Sequence, residues 1–148
     1  MTVITTVRPP LNLFEVVRLE FTDTWVDLYE VPTYLVPASG PTPAYFVAAA
    51  AIITSLVVVN TSGSAATVSV QILDPQSADP DPYGPGPYDT YTIVETLTVP
   101  ANSFINVDLN RQVAKSMQIV QVQASTGATL TAHLSFVLNQ REQFTIIP

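Results

Sequence analysis

The stretch with most capacity for chemistry is Asp79–Asp89, DPDPYGPGPYD. Three carboxylates, two tyrosines, four prolines and two glycines share its eleven residues. A calcium loop supplies about six to eight oxygens, commonly from acids at alternating positions with glycine at the sharp turn. Asp79 and Asp81 alternate, but Pro80 and Pro82 fix the backbone between them and no terminal glutamate follows. The prolines set a semi-rigid excursion that cannot pair in a sheet. Tyr83 and Tyr88 offer large contact area at low entropic cost, so this loop reads as a contact tip rather than a metal site.

Elsewhere the catalytic inventory is thin. Nucleophilic catalysis needs a nucleophile and a base within hydrogen-bond reach, and the single histidine, His133, sits on the Thr/Ser face of a strand-like run. One histidine and no cysteine cannot build a zinc site within one chain. No glycine-rich loop opens a helix, which removes the P-loop and dinucleotide fingerprints. The twelve acids are dispersed, with no spacing that singles out a glycosidase pair. The reading is a non-enzymatic protein without cofactor or metal.

Composition narrows the partners. Only 11% of the residues are charged while 47% are hydrophobic, against about 25% charged in an average soluble domain. A surface of Thr, Ser, Gln, Asn and apolar groups suits obligate association. The net charge of −7, with Arg8, Arg18, Arg111, Lys115 and Arg141 scattered, argues against nucleic acid. MTVITTVRPPLN has neither the basic nor the apolar region of a secretory signal. The apolar run from Ala44 stops after sixteen residues at Asn60, short of the roughly twenty a membrane helix requires.

These residues must be positioned by strands, because the dominant period is two. In TVSVQIL, Val68, Val70 and Ile72 share one face; in TLTAHLSFVL, Leu130, Ala132, Leu134, Phe136 and Leu138 do; in FINVDL, Ile105, Val107 and Leu109 do. SLVVVN is apolar on both faces, as a central strand would be. NTSGSAA, VPAN and ASTGAT are turn signals. Strands are predicted near 24–31, 50–60, 66–73, 90–98, 103–109, 116–124 and 128–138. Glu95 falls on an apolar face, and the apolar phase of MQIVQVQ switches between Ile119 and Val120; a β-bulge would repair each register. The predicted class is all-β: an antiparallel β-sandwich, jelly-roll-like, of about seven to eight strands.

The ends differ in kind. Residues 1–22 read as an N-terminal arm or edge strand, 23–138 as the sandwich, and 139–148 as a C-terminal arm. Termini are ordinarily polar and frayed, whereas these carry Phe14, Val16, Phe144, Ile146 and Ile147. They read as strands added either to this sheet or to a neighbouring subunit, with the interface favoured. The Pro-rich segment 32–46, with Tyr34 and Tyr45, is expected to be a second docking loop.

WVDLYEVP followed by AAAIITSLVVVNTSGSAATVSVQILD, then YTIVETLTVPANSFINVDLNRQV and MQIVQVQASTGATLTAHLSFVL, resembles small structural proteins of tailed-bacteriophage virions over roughly residues 24–138. The resemblance implies a non-enzymatic capsid decoration (cement) protein, with neck, tail or fibre placement as the alternative. It implies a virion protein assembled in the host cytoplasm, a homo-oligomer of trimeric type, contacting the major capsid protein or other virion proteins. The interface candidates are Phe14, Val16, Tyr34, Tyr45, Tyr83, Tyr88, Arg141, Phe144, Ile146 and Ile147. A carbohydrate-binding sandwich stacking sugars on Trp25, Tyr83 and Tyr88 is the third option, although Trp25 reads first as core or sheet packing.

Overall fold

The computed structural model describes residues 3–6, 12–75, 88–109 and 112–145, with Pro75 and residues 140–145 as backbone alone. Eleven strands follow along the described residues: β1 (Val3–Thr5), β2 (Asn12–Phe21), β3 (Val26–Glu30), β4 (Thr33–Val36), β5 (Tyr45–Asn60), β6 (Ala66–Pro75), β7 (Tyr88–Val99), β8 (Ser103–Val107), β9 (Val113–Lys115), β10 (Ile119–Ala124) and β11 (Leu130–Thr145). No described residue is helical.

Two sheets result. The larger has seven strands in the order β1-β4-β5-β11-β2, with β8 and β9 also paired to β5; the smaller has four, β3-β10-β6-β7. The sixteen-residue β5 lies against β11 along one side and takes β4, β9 and β8 in turn along the other. Among the described residues only β1 and β4 run parallel; every other pair is antiparallel.

The period-two pattern explains why these segments form strands that share a core. Val68, Val70 and Ile72 of the smaller sheet are buried, as are Leu130, Ala132, Leu134, Phe136 and Leu138 of the larger. They belong to one hydrophobic cluster fed by both sheets, an arrangement consistent with a β-sandwich. Full burial of each Val, Leu, Ile or Phe contributes about 1.5–3 kcal/mol. Asn60, buried where β5 turns into β6, is satisfied. Its Nδ2 donates to the Ser64 and Val99 carbonyls, and its Oδ1 accepts from Ser62 N and Oγ.

Several expectations need correction. Of the two readings of the N-terminal segment, β2 takes the edge strand and not the favoured interface arm: it pairs with β11 of its own chain through ten residue pairs, from Asn12–Asn139 to Phe21–Leu130. Burial drives this, because Phe21 enters the core and Val17 and Leu19 pack against it. Nor does residue 139 begin a separate arm, since β11 stays paired with β5 out to Thr145–Tyr45. The Pro-rich segment 32–46 is largely a hairpin. β4 pairs with β5, and Ser39 and Thr42 bond each other's backbone around Gly40, whose φ of 57° favours glycine.

The two register conflicts resolve differently. The β6–β7 pairing carries register shifts at Val68/Val70 and Val70/Gln71. They turn Glu95 to solvent, and Thr96 takes a left-handed φ of 48°. In β10 the strand itself is regular against β6, and the shift lies in its pairing with β3. Val120 enters the core while Ile119 is buried outside that cluster.

Candidate functional site

The outward faces of the two sheets are built differently. On the smaller sheet polar side chains satisfy one another. Gln71 Nε2 donates to Gln121 Oε1 at 2.7 Å, Gln121 Nε2 to Asp27 Oδ1 at 2.7 Å, and Gln123 Nε2 to the Asp23 carbonyl at 2.9 Å. Each of these glutamine amides thus donates one hydrogen bond within the chain.

On the outward face of the larger sheet apolar and polar side chains mix, with Ser55, Ser135 and Val16 sharing one row. Directly opposed residues of antiparallel strands share a face, so the registers place side chains in rows. Val113, Ile52, Val137 and Phe14 form one row across β9, β5, β11 and β2. Asn106, Val57, His133 and Arg18 form a second, and Phe104, Val59, Thr131 and Glu20 a third, across β8, β5, β11 and β2. Phe14 is 64% exposed, Phe104 61% and Val16 58%. Beside Val113, a groove of about 500 Å³ is lined by Ala48, Ala50, Lys115, Ser116 and Met117. Phe14, Val16, Phe104 and Val113 are exposed apolar groups interleaved with these polar rows, and exposed apolar groups gathered on one face mark contact surfaces. Arg18 and Lys115, the two basic side chains described, lie on this same face.

The sequence candidates divide accordingly. Phe14 and Val16 stand on this face. Tyr34 is buried in the chain's own core, and Tyr45 packs half-buried against it; both rings serve the fold. Tyr88 is half-buried at the start of β7. Burial raises its pKa from the ordinary tyrosine value, with the Glu30 and Asp27 carboxylates adding to the effect. Arg141 and Phe144 lie on β11 with backbone alone described; Tyr83, Ile146 and Ile147 fall outside the described residues, as does most of the Asp79–Asp89 loop. Trp25 is not packed inside a strand but is 36% exposed in the turn before β3.

Phe104, Val113, Ile52, Val57, Val59 and Val137 were not singled out by the sequence reading. One signal for them was present. In FINVDL the phase of Ile105, Val107 and Leu109 leaves Phe104 on the face opposite the core.

His133 sits between Arg18 and Val57 in its row, half-exposed. Among the described residues no group of three or more His, Cys, Asp or Glu could hold a metal ion. No helix among them is long and apolar enough to cross a membrane. No family model, curated protein or solved structure matches the chain.

Proposed function

We propose that this chain is a non-enzymatic structural protein of a tailed-bacteriophage virion, a capsid decoration (cement) protein that stabilises the shell through symmetric subunit contacts. The observation that carries the reading is the outward face of the larger sheet, where Phe14, Val16, Phe104 and Val113 are exposed, whereas on the smaller sheet Gln71, Gln121 and Asp27 hydrogen-bond one another. That face is the docking surface for the major capsid protein. Many weak copies of one contact on a symmetric shell add through avidity.

The fold supports the reading at the level of architecture. The longer strands fall into two sets, β2-β11-β5-β8 and β3-β10-β6-β7, which we read as a jelly roll of eight strands, with β1, β4 and β9 as additions. Jelly rolls serve viral capsid and lectin domains alike, so the role is argued from the surface and not from the fold. The protein belongs in the virion, is assembled in the host cytoplasm, and acts as a homo-oligomer without nucleic acid.

The test is co-sedimentation of the purified chain with shells that lack it. The wild type pellets with shells, and Phe104→Lys with Val113→Lys weakens binding by about tenfold or more, equivalent to about 1.4 kcal/mol. Unchanged binding by that variant contradicts the assignment of the face. A carbohydrate-binding role draws on one observation, the exposed Trp25; glycan binding that is lost in Trp25→Ala, without sedimentation on shells, would replace the cement reading.

A further inference from the structure

We infer that β2 is a self-pairing edge: two copies of this chain join antiparallel through Asn12–Phe21, extending the larger sheet across a two-fold axis at Val16. The inference is independent of what the outward face binds.

Among the described residues β2 closes one side of the larger sheet, paired only with β11 and free of register shifts over its ten pairs. An edge of that length is a ready template for another strand unless something blunts it. The other edges are blunted. Edge strand β7 carries two register shifts and the left-handed Thr96; β3 is five residues long with a register shift; and on the far side β1, β8 and β9 are short. β2 has no proline, no lysine and no bulge; its one blunting feature is the core-facing charge of Glu15, opposite Phe136. It exposes hydrophobic side chains on both faces: Phe14 and Val16 outward, Leu13 on the core-facing side.

Side-chain chemistry selects the register and points to a second copy as the occupant. In an antiparallel pair about a two-fold axis, residues of the same face must oppose one another. With Val16 opposite Val16, Phe14 faces the Arg18 guanidinium, a cation over a ring; Asn12 faces Glu20; Leu13 faces Leu19; and Glu15 faces Val17. Each exposed hydrophobic of β2 then gains an apolar or cationic partner, and no like charges meet. Centring on Val17 sets Phe14 against the Glu20 carboxylate. Centring on Arg18 or Glu15 opposes two identical charges, which is destabilising. Of the registers that pair at least seven residues of β2, this one alone avoids these clashes; centring on Leu19 sets Arg18 against Glu20 but pairs only Val17 to Phe21.

The chain has no cysteine, so single-cysteine variants report the contact directly. Val16→Cys and Phe104→Cys introduce thiols at positions of similar exposure on the same sheet face. Under mild oxidation Val16→Cys gives a disulfide-linked dimer and Phe104→Cys does not. The wild type sediments as a dimer, and Arg18→Glu, which places a carboxylate against Phe14, requires at least tenfold higher concentration to dimerise while keeping the wild-type circular dichroism. A wild type that sediments as a monomer at every concentration overturns the inference, as does equal crosslinking of both cysteine variants, which would place the contact on the face instead. If Arg18→Glu does not fold, the cysteine pair still decides.

Discussion

Tyr29 of β3 and Phe136 of β11 meet ring to ring, their centroids 4.2 Å apart and their planes tilted by 38°. One ring belongs to the smaller sheet and the other to the larger, so the contact fastens the two layers. Phe136 is fully buried. Phe136→Ala should therefore lower the unfolding free energy by about 3–5 kcal/mol, measured by denaturant titration. A loss below about 1 kcal/mol would mean that the sheets are held together elsewhere.

Tyr29 and Tyr34 give the protein an alkaline limit. Burial raises the Tyr29 pKa well above the ordinary tyrosine range, with Tyr34 and Glu15 adding to it. Burial and then Glu15 raise that of Tyr34. The unfolded chain releases these protons near pH 10, the folded chain only at higher pH. Their contribution is thus fully present below about pH 10 and is lost as pH rises above it through the folded values. Unfolding free energy should fall above pH 10, with tyrosinate absorbance rising on unfolding, and Tyr29→Phe should flatten the fall. Stability that stays level from about pH 9 to 11 would contradict the assignment.

Asn60 holds the β5–β6 turn to the end of β7 through the Ser64 and Val99 carbonyls and both donors of Ser62. Asn60→Leu strands these groups, at a cost of about 1–3 kcal/mol for each one left buried and unpaired. Ser62→Ala removes one hydroxyl at a more exposed position and should cost less. Thermal unfolding of the two variants side by side gives the order; equal melting temperatures would refute the role given to the amide.

Phe104→Lys and Val113→Lys separate docking from folding. Both side chains stand on the outward face, so neither change should move the stability of the isolated chain by more than about 0.5 kcal/mol. Loss of shell binding with unchanged unfolding assigns these residues to a partner. Loss of stability instead would assign them to the fold.

Where alternation was strict, the sequence was a sound guide. Val68, Val70 and Ile72, and the run from Leu130 to Leu138, are buried as their phase requires. The pattern could not say which strand lies beside which, because pairing depends on contacts far apart in the chain. For that reason the segment holding β2, apolar on both faces, read as either an arm or an edge strand, and it is an edge strand of its own sheet. β4 sits between prolines that mask its pairing with β5. Tyr34 read as a contact because its segment read as a loop, and it is core because that segment is a hairpin. The outward face was legible in part: Phe14 and Val16 were among the candidates, while Phe104 was hidden in the polar phase of a well-patterned strand.

The measurement that tests the proposed virion role most directly is symmetric reconstruction of virus particles isolated from the source of this chain. The account predicts repeated copies on the capsid shell, each with the Phe14, Phe104 and Val113 face of its larger sheet turned toward the major capsid protein. Copies at the neck or tail, copies with that face turned to solvent, or particles that lack the chain would contradict it.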